Sequence, residues 1–129
     1  MKKNKIVVRY KDGNIIKGQT ADFSPNKALF HIETINGEVK EVNMENLKAV
    51  FFVKDFEGNK QYKENYNKHI AGGGRKIKVQ YQDDEEITGY TLGYSPERQG
   101  FFMIPADTGG NNERIFIVKS ATKNIEFFK

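Results

Sequence analysis

Apolar and polar positions along this chain alternate with a period of two, in runs too short for helices, and turn residues separate the runs. Residues 5–11, Lys-Ile-Val-Val-Arg-Tyr-Lys, read as a β-branched and aromatic strand, followed by the hairpin turn Asp12-Gly13. Residues 14–23 predict a second, longer strand with Gly18 inside it, a glycine that marks a bend or bulge. Ser24-Pro25-Asn26-Lys27 is a turn, 28–33 a third strand, Asn36-Gly37 a second hairpin turn, 38–43 a fourth strand and 47–53 a fifth.

The pattern then repeats. Shifted by 71 positions, residues 5–33 fall on 76–104 without a gap, with 11 identities in 29 positions. The identities include Ile6, Tyr10, Asp12, Gly18, Ser24, Pro25 and Phe30, which meet Ile77, Tyr81, Asp83, Gly89, Ser95, Pro96 and Phe101. The second copy gains four residues around Thr108-Gly109-Gly110-Asn111, after which Lys48, Val50 and Phe52 match Lys123, Ile125 and Phe127. The chain reads as an internal duplication. Five short strands per copy, with a bent second strand, describe a small closed barrel better than a sandwich.

Between the copies, Tyr62, Tyr66 and Ile70 recur every four residues among polar ones, which predicts a short amphipathic helix over 59–71, or a coil of the same length. Gly72-Gly73-Gly74 would end it. The expected organisation is a first barrel over 1–55, a polar linker with a short helix over 56–74, and a second barrel over 75–129.

Composition narrows the function classes. Charged residues make up 29% of the 129 and hydrophobic ones 37%, a globular balance, and no apolar run approaches the ~20 residues of a membrane span. The basic start Met1-Lys2-Lys3-Asn4-Lys5 leads into too few apolar residues for a signal peptide. There is no cysteine, which removes disulfides and thiolate metal sites and fits a reducing cytoplasm. Residues 1–74 carry 13 Lys/Arg against 9 Asp/Glu and residues 75–129 carry 8 of each, so the net charge of +4 belongs to the first half and the linker. That permits an anionic partner without the dense basic face of a dedicated nucleic-acid binder. If phosphates are bound, the cations expected to serve are Lys2, Lys3, Lys5, Lys60, Lys63 and Lys68.

From Val7 to Ile32 the order of features resembles the first motif of the Sm-like superfamily. An apolar alternation leads to Asp12-Gly13, then a strand with Gly18, Asp22 near its end, Asn26, and an apolar third strand. The resemblance implies tandem five-stranded Sm-like or SH3-like barrels, and RNA as a ligand class. The second motif that carries RNA contacts in that group is replaced here by Met44-Glu45-Asn46 and Ser120-Ala121-Thr122. Asp22-Phe-Ser24-Pro-Asn-Lys27 also resembles the Asp-x-Ser-x-x-Gly of PilZ domains, which implies cyclic-dinucleotide sensing, but Lys27 stands where that motif has glycine. A Ser-Pro turn between strands accounts for it more simply.

Chemistry-bearing clusters are sparse. Asp83-Asp84-Glu85-Glu86 lacks the alternating ligands and the turn glycine of a calcium loop and reads as a solvated turn. His31 and His69 fall in no metal spacing, and no nucleophile elbow or Ser-His-Asp pattern is evident, so no catalytic residue, cofactor or metal is expected. Gly109, Gly110, Asn111, Asn112 and Arg114, in the lengthened hairpin, are the candidate binding loop, with Arg114 either clamping an anion or paired to Glu113 or Asp107. Phe101-Phe102 and Phe127-Phe128 put aromatics on both strand faces, so one of each pair must meet the other copy, the helix or a partner. The expected function is a non-enzymatic binding or scaffold module whose partner is a protein or a nucleic acid. Weak, salt-sensitive RNA or single-stranded DNA binding is the first alternative and PilZ-like sensing the second. The insertion makes the two outer sheet edges unlike, which favours a monomer or simple dimer.

Overall fold

The computed structural model describes residues 3–54, 74–91, 93–106 and 112–128. The linker, including the helix expected over 59–71, lies outside the described residues. Among the described residues ten strands form: β1 (Asn4–Tyr10), β2 (Ile15–Thr20), β3 (Leu29–Thr34), β4 (Val39–Asn43), β5 (Leu47–Val53), β6 (Arg75–Tyr81), β7 (Glu86–Thr91), β8 (Gly100–Pro105), β9 (Asn112–Val118) and β10 (Thr122–Phe127). Single 3-10 turns, Met44–Asn46 and Lys119–Ala121, join β4 to β5 and β9 to β10. No α-helix occurs among the described residues.

The hairpin turns behave as their residues require. Gly13 and Gly37 hold φ of 94° and 86°, the left-handed region that a side chain disfavours. At the second-half position matching Gly13, Asp84 takes φ 71°, in the region that aspartate tolerates better than most residues. Gly18 is not at a register shift. A Cβ there would lie 2.2 Å from the Glu33 carbonyl oxygen, so the glycine lets β3 pass close over β2. Gly89 does the same beneath the Ile104 carbonyl, at 2.3 Å.

The expectation of two closed barrels is met only in part. The strands form one open antiparallel sheet in the order β10-β6-β7-β8-β9-β5-β1-β2-β3-β4. The physical reason is that β5 does not turn back on β4. Its free edge is taken by β9 from the other half, with Ala49 opposite Ile117, Val50 opposite Phe116, Phe51 opposite Ile115 and Phe52 opposite Arg114. Within the halves, Ile6 faces Gly18 and Ile77 faces Gly89, two pairs 71 positions apart.

This central ladder is buried on both faces, which explains the uninterrupted apolar run over 49–53 in β5. Val50, Phe52, Phe116 and Val118 enter one core with Ile6, Val8, Phe30 and Ile32. Ala49, Phe51, Ile115 and Ile117 enter the other with Ile77, Val79, Tyr81 and Met103. The adjacent pair on β8 divides in the same way: Phe101 fills the second core, while Phe102 packs on the first. Neither core is assembled from one half alone.

Candidate functional site

Because β5 and β9 join the halves, the turns at their ends are brought side by side. Gln99 Nε2 donates to the carbonyls of Pro25 and Lys27, both at 2.8 Å, and so ties the Ser-Pro turn of the first half to the start of β8. Each 3-10 turn is held against the segment before its third strand, Met44 N–H on the Ala28 carbonyl (2.8 Å) and Lys119 N–H on the Gln99 carbonyl (2.9 Å). Between these supports lies a cleft of about 440 Å³ lined by Met44 and Glu45 of the first half and Arg98, Gln99, Val118, Lys119 and Ser120 of the second.

The cleft offers a mixed chemistry. Met44 and Val118 supply an apolar floor, and both are buried. Arg98 is an exposed guanidinium, Lys119 Nζ rests on the Pro96 carbonyl, and Ser120 Oγ accepts from Lys11 Nζ at 2.7 Å. Three cations therefore stand in or beside the cleft, against one lining carboxylate, Glu45. Such an arrangement can hold a flat or anionic group by apolar contact and by charge-assisted hydrogen bonds. A smaller cavity of about 110 Å³ lies on the other side of Ser120, between Lys11, Lys48, Tyr81, Gln82 and Asp83.

Beside it sits the main ionic link between the halves. Lys48 is 8% exposed, and its Nζ lies 2.7 Å from Asp83 Oδ2, 2.8 Å from Glu85 Oε1 and 4.7 Å from the centre of the Tyr81 ring. The Lys48 ammonium, with the Glu85 amide, holds the Asp83 carboxyl below the usual carboxylate range. Burial pushes the Tyr81 phenol up, and the nearby Glu85 charge adds to it. All four residues of the acidic run meet cations: Asp84 lies 3.0 Å from Lys123, Glu86 lies 3.3 Å from Lys78, and Glu85 is shared by Lys48 and Arg9. Among the described residues no group of three or more His, Asp or Glu is placed to hold a metal ion.

The remaining sequence candidates fall as follows. Asp22 braces its own turn: its carboxylate accepts from the His31 amide at 2.9 Å and from Thr20 Oγ1 at 3.1 Å, and lies 2.7 Å from His31 Nδ1. Burial pushes the Asp22 carboxyl up, but these bonds outweigh it and the net shift is downward. No hydroxyl is hydrogen-bonded to the His31 ring among the described residues. Lys3 pairs with Glu33 at 3.4 Å, and Lys5 lies on β1; neither lines the cleft. Lys2, Lys60, Lys63, Lys68, Gly109, Gly110 and Asn111 lie outside the described residues, and Asn112 opens β9. Arg114 stacks its guanidinium 4.4 Å from the centre of Phe52 and 5.0 Å from that of Phe102, over the aromatic cluster that Phe23 completes.

A family model matches residues 2–129, nearly the whole chain. The chain belongs to DUF6982, a family of unknown function. No curated protein and no solved structure matches it significantly. Family membership thus assigns no chemistry to the cleft, and no helix among the described residues is long and apolar enough to cross a membrane.

Arg98, Gln99 and Lys119 were not singled out by the sequence, whereas Met44, Glu45 and Ser120 stand where the Sm-like resemblance places its second motif. Arg98 is separated from Lys119 by the β8–β9 hairpin, and from Glu45 by 53 positions of sequence. Arg98 had a signal of its own, standing 71 positions after Lys27 at the matching Ser-Pro turn, a cation kept at one turn position.

Proposed function

We propose that this DUF6982 protein is a non-enzymatic binding or scaffold module whose ligand sits in the seam cleft. The observation that carries the reading is that the cleft is built from both halves, by turns that Gln99 and the two 3-10 turns hold in place. A preformed concavity with an apolar floor and a few convergent polar groups is the usual form of a binding site. The absence of catalysis is part of the proposal. It is supported by Asp22 and His31 being engaged in bracing a turn, and by the acidic run being engaged with lysines. We further read the chain as two tandem five-stranded units of Sm-like or SH3-like kind; the 71-residue offset between Ile6–Gly18 and Ile77–Gly89 supports that descent.

The second reading is weak, salt-sensitive binding of single-stranded RNA or DNA at the same place, favoured by Arg98, Lys119 and Lys11 around the cleft. Capture of partners from the source cell separates the two, comparing the wild-type chain with Ser120→Trp, which fills the cleft, in lysates with and without nuclease. A partner lost with Ser120→Trp and insensitive to nuclease supports a protein scaffold. One lost with both supports the nucleic-acid reading. A partner that Ser120→Trp retains sinks the cleft as the site.

A further inference from the structure

Most polar groups of the seam cleft are spent on building it. Lys119 Nζ rests on the Pro96 carbonyl, Gln99 Nε2 donates to the carbonyls of Pro25 and Lys27, and Ser120 Oγ accepts from Lys11 Nζ. Two lining groups are left over, the guanidinium of Arg98 and the carboxylate of Glu45. Among the described residues neither side chain makes a hydrogen bond or an ion pair. They carry opposite charge, and each comes from a different half.

Opposite charges that line one concavity attract each other, and here braced turns stand between them and a pairing. The Glu45 amide donates to Asn43 Oδ1 at 3.2 Å, and its 3-10 turn is held by the bond from Met44 to Ala28. The Arg98 amide donates to the Ser95 carbonyl at 3.2 Å, and the next residue, Gln99, is fixed by its two bonds to the first half. The two charges therefore face one cleft without neutralising each other.

A ligand that completes this arrangement carries the reverse pair, a carboxylate for Arg98 and an ammonium for Glu45. Its remaining surface is apolar, to lie on Met44 and Val118. The geometry points to a small zwitterion with an apolar side chain, an α-amino acid or a dipeptide, as the ligand class of the seam cleft. The inference rests on the cleft being the binding site, and a volume of about 440 Å³ has room for either molecule.

The charge pattern favours a zwitterion over a polyanion. Glu45 repels the phosphate that Arg98 would attract, a penalty that an ammonium-bearing ligand does not meet. Each end of the zwitterion instead gains a charge-assisted hydrogen bond. Because Glu45 and Arg98 belong to different halves, a ligand held by both also ties the halves together. Its binding should raise the thermal midpoint of the whole chain.

Nitrogen–proton correlation spectra of the full chain test this, titrated with leucine and leucyl-leucine and with the N-acetylated and the amidated form of each. The expected result is saturable shifts of the Arg98, Gln99, Lys119 and Ser120 amides with a zwitterion, the tighter of the two naming the source. Each blocked form should bind at least about tenfold more weakly. Arg98→Gln should erase the advantage over the amidated form, and Glu45→Gln the advantage over the N-acetylated one. Both residues are exposed, so the fold is kept. Blocked forms that bind as tightly as the zwitterions, or no saturable binding of either zwitterion, overturn the proposal while the cleft stands as a site for another ligand. Zwitterion shifts that centre elsewhere, or persist unchanged in Ser120→Trp, overturn the proposal and the assignment of the cleft together.

Discussion

Lys48 Nζ lies 2.7 Å from Asp83 Oδ2, so the buried ammonium on the last strand of the first half is neutralised by the first turn of the second. Each half thereby supplies what the other lacks, an ammonium on one side and its counter-charges on the other. Lys48→Met keeps the aliphatic stem under Tyr81 and removes the charge. Its carboxylate partners are about half exposed and can return to water, so the expected loss is moderate, about 1–2 kcal/mol in urea unfolding. Asp83→Asn should cost less, because Glu85 still meets the ammonium. An unchanged unfolding midpoint in Lys48→Met would show that the pair is ornamental.

Acid should weaken the fold. Asp83, through Lys48 and the Glu85 amide, and Asp22, through His31 and Thr20, both have folded-state carboxyls below their ordinary value of 3.8. As pH falls past that value the unfolded chain takes up protons first, so the stabilisation is complete above it and disappears as pH passes the lower folded-state values. Urea midpoints at a series of pH values should fall below about pH 4. The fall should be shallower in Asp83→Asn. Midpoints that rise on acidification would contradict the assignment.

Two glycine substitutions should separate close approach from turn conformation. Gly18→Ala drives a methyl group into the Glu33 carbonyl, a backbone atom that cannot step aside, and should cost about 3 kcal/mol. Gly13→Ala meets open space, and only its φ of 94° is unfavourable, so about 1–2 kcal/mol is expected. Thermal unfolding of the two variants ranks them, and the reverse order would put the constraint in the turn.

The halves should not stand alone. Fragment 1–58 would expose the face of β5 that carries Ala49, Phe51 and Val53, and fragment 72–129 would leave Phe116 and Val118 without their core. Each is also below the size at which a single core is robust. Separately expressed fragments should be poorly structured by circular dichroism and gain structure on mixing. Two cooperatively folded fragments with no mutual affinity would contradict the shared cores.

Local features were legible in the residues. Asp12-Gly13 and Asn36-Gly37 announce their turns because only particular residues accept a left-handed φ, and period-two alternation announces β1 and β6 because each has one buried face. Gly18 was legible as special, although its purpose is a close approach rather than a bulge. The long-range pairing was not legible. The apolar run of β5 shows that both its faces are buried without naming β9 as the partner. The cleft inherits that silence, since Glu45 and Arg98 become neighbours only through the β5–β9 ladder. The acidic run is the exposed turn that its residues announce, but its pairing with Lys48, 35 positions away in sequence, was not legible.

Binding at the seam cleft is tested most directly by nitrogen–proton correlation spectra of the full chain, titrated with short single-stranded RNA and DNA and with any partner captured from the cell. The expected result is a set of saturable shifts centred on the amides of Arg98, Gln99, Lys119 and Ser120, absent in Ser120→Trp. For an oligonucleotide the shifts should weaken steeply as salt is raised. Saturable binding whose shifts centre elsewhere, or persist unchanged in Ser120→Trp, would contradict the assignment of the cleft.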